Sequence, residues 1–125
     1  MPWLQFPAYF FAGAFFANCI PHVVSGLTGR RFPTPFASPP FRGLSSPRVN
    51  VLYGLCNLVV AYVLLLRVGD FELRSTSHAA AFGVGLAAMA LLITRSLARL
   101  QSAGVNRGSD LRARIRVREA RHRAP

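Results

Sequence analysis

Five polar side chains lie within otherwise apolar stretches of the sequence and are its first candidates for chemistry: Asn18, His22, Asn50, Tyr53 and Asn57. A polar side chain is costly inside a membrane, so each of them needs a partner or a function. Asn18 and His22 are four residues apart, and the other three follow one another at spacings of three and four. These spacings place each set on one face of a helix.

Two interpretations of these residues stay open. They can form a hydrogen-bonded seam between two helices, in which a contact contributes about 0.6 kcal/mol on average in membranes. Alternatively, His22 can act as a base, a proton carrier or a ligand in a small inner-leaflet cavity. This second hypothesis assigns ligand binding to all five side chains.

Other chemistries lack the residues they need. The three histidines are His22, His78 and His122. His22 and His78 belong to opposite ends of their segments, and a helix rises about 1.5 Å per residue, so the two cannot ligate one haem. Too few Cys, His and acidic residues share one level to bind zinc, and no catalytic triad, phosphate loop or carboxylate pair can be assembled. We therefore expect no metal, cofactor or catalytic residue.

Three apolar segments must position these side chains, and they run roughly from residue 6 to 25, 47 to 67 and 78 to 97. Each is close to the roughly 20 residues with which a helix crosses a bilayer. The predicted fold class is therefore all-α, an integral membrane bundle of three transmembrane helices. The predicted membrane domain covers residues 1–103, and an Arg-rich cytoplasmic tail covers 104–125.

Helix direction predicts which polar side chains meet. The first two segments run in opposite directions, so His22 should approach Asn50 near the connecting loop. Asn18 and Asn57 should meet one or two turns deeper. Lipid chains offer these side chains no hydrogen-bond partner, so all four should face the interior of the bundle.

Local residue types predict the helix boundaries. Ser46 can cap the second helix, and Thr76 or Ser77 can cap the third. Pro21 should kink or end the first helix. Gly83 and Gly85 should let the third helix approach a neighbour closely. Between the first two helices, prolines and phenylalanines predict an ordered Pro/Phe-rich loop that enters the membrane interface or caps the bundle.

Charge predicts the orientation in the membrane. The net charge is +11 and every basic residue is Arg. Most arginines lie in the loop before residue 50 or after residue 94, and three spans put both regions on one side. By the positive-inside rule this side is cytoplasmic and the N-terminus is outside. We expect a bacterial cytoplasmic (inner) membrane.

The C-terminal stretch Leu111–Arg118 alternates apolar residues with Arg. Its favoured interpretation is a mobile tail along anionic lipid headgroups, contacted by Arg112, Arg114, Arg116 and Arg118. Contact with a partner protein or nucleic acid is the alternative, and nucleic acid is the less favoured of the two.

A linear pattern joins several of these residues. It reads NxxPHxxxGxxG from Asn18, then FPTPFA from Phe32, then an Asn50, Gly54 and Asn57 spacing. The pattern resembles a family of small bacterial multi-span membrane proteins without an assigned activity, so it implies no catalytic residues. The favoured function is a non-enzymatic accessory or scaffold subunit of a larger membrane assembly, or a lipid-interacting protein. The alternative is a small membrane enzyme or carrier that binds an apolar ligand beside His22.

Overall fold

A computed structural model describes residues 2–123, and this part of the chain is helical without a strand. A short 3-10 turn precedes α1, and one π-helical turn extends α2. The bounds are Pro2–Leu4 for the 3-10 turn, Gln5–Leu27 for α1, Pro47–Val63 for α2, Leu64–Val68 for the π-helical turn and Thr76–Arg123 for α3. α1, α3, and α2 together with its π-helical turn are each long and apolar enough to cross a membrane. The predicted all-α fold class is confirmed.

The chain forms two compact units, Met1–Ile93 and Thr94–Pro125, which are described separately. The first unit contains α1, α2 and the N-terminal part of α3. The second contains the rest of α3. The sequence-based division of the chain after residue 103 stays a prediction.

Two of the predicted helix boundaries need correction. Pro21 does not end α1, which continues to Leu27. A proline removes one backbone donor but its fixed φ fits a helix, and membrane helices tolerate it. The first turn of α3 is capped by Ser75, whose Oγ lies 3.5 Å from the N–H of His78, rather than by Thr76 or Ser77. The predicted cap at Ser46 is confirmed, because its Oγ accepts from the Val49 N–H at 3.3 Å.

Glycines set how closely the helices of the first unit pack. A Cβ on Gly13 would overlap the carbonyl oxygen of Phe82, and one on Gly85 would overlap that of Phe10, so α1 and α3 touch through their backbones. The close approach predicted at Gly85 is therefore confirmed. Gly83 faces open space instead, because it lies on another side of the same helix.

Close backbone contact also joins α1 to α2. A Cβ on Gly26 would lie 2.6 Å from the carbonyl oxygen of Pro47, and one on Gly54 would lie 3.1 Å from that of Cys19. In lipid the hydrophobic effect does not drive helices together, so association depends on close van der Waals packing. Small residues at the crossing allow that close packing. The two helices are held near each other along the face that carries the polar side chains.

Aromatic rings pack at the end of the bundle where α1 begins. Tyr9 is fully buried, and its ring lies 4.6 Å from the His78 ring and 5.3 Å from the Phe71 ring. The Nδ1 atom of His78 accepts a hydrogen bond from the Glu72 N–H at 3.2 Å. These contacts fix the start of α3 against α1.

The second unit is helical to Arg123, whereas the alternation of Arg with apolar residues favoured a mobile tail. Arg, Ala, Leu and Glu are strong helix formers, and their propensity outweighs the period-two alternation of apolar residues. An ion pair of 3.1 Å between Asp110 and Arg114 adds an i,i+4 contact. Both side chains are largely exposed, so this pair contributes little to stability.

Candidate functional site

A polar seam lies between α1 and α2, and its first level joins His22 to Asn50. Nδ1 of His22 and Oδ1 of Asn50 are 2.8 Å apart, and both residues are buried. The contact predicted from helical spacing and chain direction is therefore confirmed.

Asn50 ties three parts of the chain together. The two hydrogens of its Nδ2 are shared among the carbonyl oxygens of Phe32, Ser45 and Ser46, at distances of 3.1, 3.2 and 3.0 Å from the nitrogen. Its Oδ1 faces His22. One side chain therefore connects α1, the loop and the first turn of α2.

The three carbonyl partners of Asn50 also fix the tautomer of His22. A carbonyl oxygen only accepts, so the amide nitrogen must face the carbonyls and the amide oxygen must face the imidazole. The Nδ1 atom of His22 must then be the donor, and in the neutral ring Nε2 carries the lone pair.

The second level of the seam joins Asn18 to Asn57. Nδ2 of Asn18 donates to Oδ1 of Asn57 at 3.1 Å, with the Tyr53 hydroxyl oxygen 3.4 Å away. Nδ2 of Asn57 donates to the backbone oxygen of Tyr53 at 2.7 Å. This pairing was also predicted, so the structure brings all five candidate side chains into one continuous set of contacts.

Aromatic rings enclose the His22 imidazole. Phe32 and Tyr53 meet it edge to face, with ring centroids 5.1 and 4.6 Å away. Phe36 in turn contacts Tyr53 at 5.7 Å. The polar seam therefore continues into an aromatic layer contributed by the loop.

Two buried loop residues that the sequence analysis did not single out complete the site. Thr34 and Ser45 are buried, and their hydroxyl oxygens are 2.5 Å apart. The Ser45 N–H also donates to the Phe32 carbonyl oxygen at 3.0 Å. Small hydroxyl residues are common in Pro-rich loops, so their identity alone gave no sign of this role. The predicted order of the loop is confirmed.

The groups of the seam bond to one another and to backbone carbonyl oxygens. Within residues 2–123, every fully buried side-chain nitrogen or oxygen has a hydrogen-bond partner. The same described residues contain no group of three His, Cys, Asp or Glu side chains placed to hold a metal ion. Structurally, the seam can fix the crossing of α1 and α2 and anchor the loop. Whether the five residues also bind a ligand stays a prediction.

Fold and site together define a small membrane protein of three apolar helices with a buried polar seam. Comparison with protein-family models, curated proteins and solved structures gave no significant match.

Proposed function

We propose that the protein is a non-enzymatic accessory or scaffold subunit of the bacterial cytoplasmic membrane that also interacts with anionic lipid. The observation that carries the proposal is that the polar side chains of the seam are paired with one another and with backbone carbonyl groups. Asn50 uses its amide on His22 and three carbonyl groups, and Asn18 pairs with Asn57. Such pairing suits a structural seam, whereas the ligand-cavity alternative needs these same groups to face a pocket.

The lateral surface of the helices supports a role within the bilayer. Large apolar side chains on α2 point away from the bundle, among them Leu52, Val59 and Tyr62, which are exposed by 64%, 60% and 54%. Such a surface fits lipid chains or the helices of a larger assembly. A bundle this small leaves most of its apolar area for these contacts.

The exposed arginines of the second unit support the lipid interaction. Arg112, Arg114, Arg116 and Arg118 are exposed on α3. Each basic residue near an anionic membrane surface contributes about 1 kcal/mol. Asp110 offsets part of the charge of Arg114, so the other three carry most of the attraction.

We expect a variant with these four arginines replaced by Gln to insert normally but to retain less anionic lipid. The protein is placed in nanodiscs that mix phosphatidylglycerol with phosphatidylcholine, and retained lipids are counted by native mass spectrometry. At about 1 kcal/mol for each lost charge, the preference for phosphatidylglycerol should weaken about a hundredfold or more.

The matched control replaces Asn106 and Ser109, two exposed uncharged residues of the same helix, by Gln. Wild-type retention in the control and reduced retention in the arginine variant support the proposal. Equal retention in all three proteins would contradict the lipid interaction, and failed insertion of the arginine variant would show that this helix segment is needed for folding.

Orientation is the second expected result. Reporter fusions at the C-terminus and within the α1–α2 loop should both report the cytoplasm, because arginines concentrate there. A fusion after Asp70, in the turn before α3, should report the opposite side. A C-terminal fusion that reports the outside would overturn the proposed orientation.

A further inference from the structure

The loop between α1 and α2 presents apolar and basic side chains together at the end of the helices. We call this set the loop surface. It consists of six exposed residues: Arg30, Arg31, Phe36, Phe41, Arg42 and Leu44. Its apolar members are exposed by 74% for Phe36, 64% for Phe41 and 57% for Leu44. In water such a patch is unfavourable, so it indicates contact with a partner.

A backbone of fixed shape holds the loop surface. The Thr34 carbonyl oxygen accepts from the Phe41 N–H at 3.0 Å, and the Pro39 carbonyl oxygen accepts from the Gly43 N–H at 2.8 Å. The Asn50 side chain on α2 also donates hydrogen bonds to the carbonyl oxygens of Phe32 and Ser45, one near each end of the loop. A surface ordered in advance loses little conformational entropy when it binds.

The backbone of Phe41 points to an apolar partner. Its φ is 60°, in the left-handed region that bulky residues seldom adopt because of steric cost. Glycine forms such a turn without that cost. Backbone hydrogen bonds such as that from the Phe41 N–H to Thr34 hold the turn, but the Phe41 side chain is mostly exposed, so its packing within the described chain contributes little. Insertion of the ring into an apolar phase outside the chain would supply that missing contribution.

The charge of the loop points to an anionic partner. No acidic residue occurs between positions 26 and 69, whereas four arginines lie within or beside the loop: Arg30, Arg31, Arg42 and Arg48. A guanidinium group pairs with phosphate through two hydrogen bonds. The loop also lies at a membrane boundary, because α1 ends at Leu27 and α2 begins at Pro47. Phosphate and acyl chains occur side by side only there.

We propose that the loop surface binds the headgroup of an anionic phospholipid. The arginines pair with the lipid phosphate, and Phe36 and Phe41 enter the acyl region beside it. This inference rests on the proposed lipid interaction, but it assigns a second site that is separate from the arginines of α3. The seam residue Asn50 is then a positioning residue for the loop rather than a ligand contact.

The test measures phosphatidylglycerol retention in phosphatidylcholine nanodiscs by native mass spectrometry, together with the free energy of unfolding. Phe41→Gly should raise the phosphatidylglycerol fraction needed for half-maximal retention about tenfold. Its free energy of unfolding should stay the same or rise, because glycine relieves the left-handed backbone. Opposite effects on lipid binding and stability are specific to an anchor that serves an outside partner.

Two matched controls accompany Phe41→Gly. Phe11→Ala removes an exposed ring within α1 at hydrocarbon depth and should leave the preference for phosphatidylglycerol unchanged. Arg42→Gln should weaken retention about fivefold, whereas Arg67→Gln, the same charge change at the other end of α2, should not. A Phe41→Gly variant that unfolds more readily than wild type would overturn the inference, since the ring would then be part of the fold. Competition by inorganic phosphate as strong as that by the lipid would overturn it as well.

Comparison with the α3 arginine variant separates the two proposals. If the loop variants retain phosphatidylglycerol like wild type and the α3 variant does not, the loop site is wrong and the proposed lipid interaction stands. If loop variants lose retention and the α3 variant keeps it, the lipid site is the loop surface. Unchanged retention in both sets would overturn both proposals.

Discussion

Gly85→Ala is expected to separate α1 from α3 and to lower the free energy of unfolding by about 3 kcal/mol. The added Cβ would overlap the Phe10 carbonyl oxygen. A backbone atom cannot rotate away as the end of a side chain can, so the whole helix must shift. The reciprocal contact between Gly13 and Phe82 would open with it. Unfolding in bicelles with a denaturing detergent measures this change.

The chain supplies its own control two residues away. Gly83 lies on the same helix, and its added Cβ would meet no atom within 4 Å. Gly83→Ala should therefore be neutral or slightly stabilising, because alanine is the better helix former by up to about 1 kcal/mol. If the two alanine variants prove equally stable, the close contact between α1 and α3 does not exist in the membrane.

The meeting of His22 with Asn50, and of Asn18 with Asn57, was predictable from the sequence. Helical spacing put Asn18 and His22 on one face of α1, and Asn50 and Asn57 on one face of α2. Two consecutive membrane spans run in opposite directions, so the two faces could be matched level by level. A polar side chain that faced hydrocarbon would have no hydrogen-bond partner, which is unfavourable. This constraint alone therefore predicts that the four side chains face the bundle interior.

The roles of Thr34, Ser45 and Phe41 were not predictable in this way. They depend on how an irregular loop folds back over 11 residues, from the Thr34 hydroxyl to the Ser45 hydroxyl. No periodicity encodes such a contact, and a left-handed Phe41 runs against the residue's own preference. The loop could be expected to have order, but not this geometry.

The continuation of α3 has a different physical origin. Alternation of Arg with apolar residues matches no amphipathic helix and therefore favours a mobile tail, but helix propensity does not depend on that pattern. Leu, Ala, Glu and Arg favour a helix without an apolar stripe, because propensity depends on backbone and rotamer freedom rather than on burial. Pro21 likewise lies inside α1, because the loss of one backbone hydrogen bond does not end a helix of 23 residues.

Asn50→Asp is expected to be the most damaging single-atom exchange in the seam. The substitution keeps the size of the side chain and the acceptor for His22, but it replaces the donor that faces Phe32, Ser45 and Ser46. A second carboxylate oxygen would meet three carbonyl oxygens at hydrogen-bond distance. We expect a loss of about 3 kcal/mol in the free energy of unfolding, because a buried group loses its partners and a charge is buried with it.

Local readouts locate the damage. In wild type, nitrogen NMR should find the proton of neutral His22 on Nδ1, since the orientation of the Asn50 amide requires it. The Ser45 N–H, which donates to Phe32, should exchange slowly with water. In Asn50→Asp that amide should exchange fast, because the loop end is no longer tied to α2.

Asn57→Asp provides the matched comparison for Asn50→Asp. Asn57 is also buried, with 3% of its surface exposed, but its amide nitrogen donates to one carbonyl oxygen, that of Tyr53. The same substitution there should cost less and should leave the exchange of the Ser45 N–H unchanged, because Asn57 does not contact the loop. Equal losses at both positions, or a protected Ser45 N–H in Asn50→Asp, would show that Asn50 does not hold the loop. Contacts other than those of Asn50 would then have to fix the backbone of Phe41 and the loop surface.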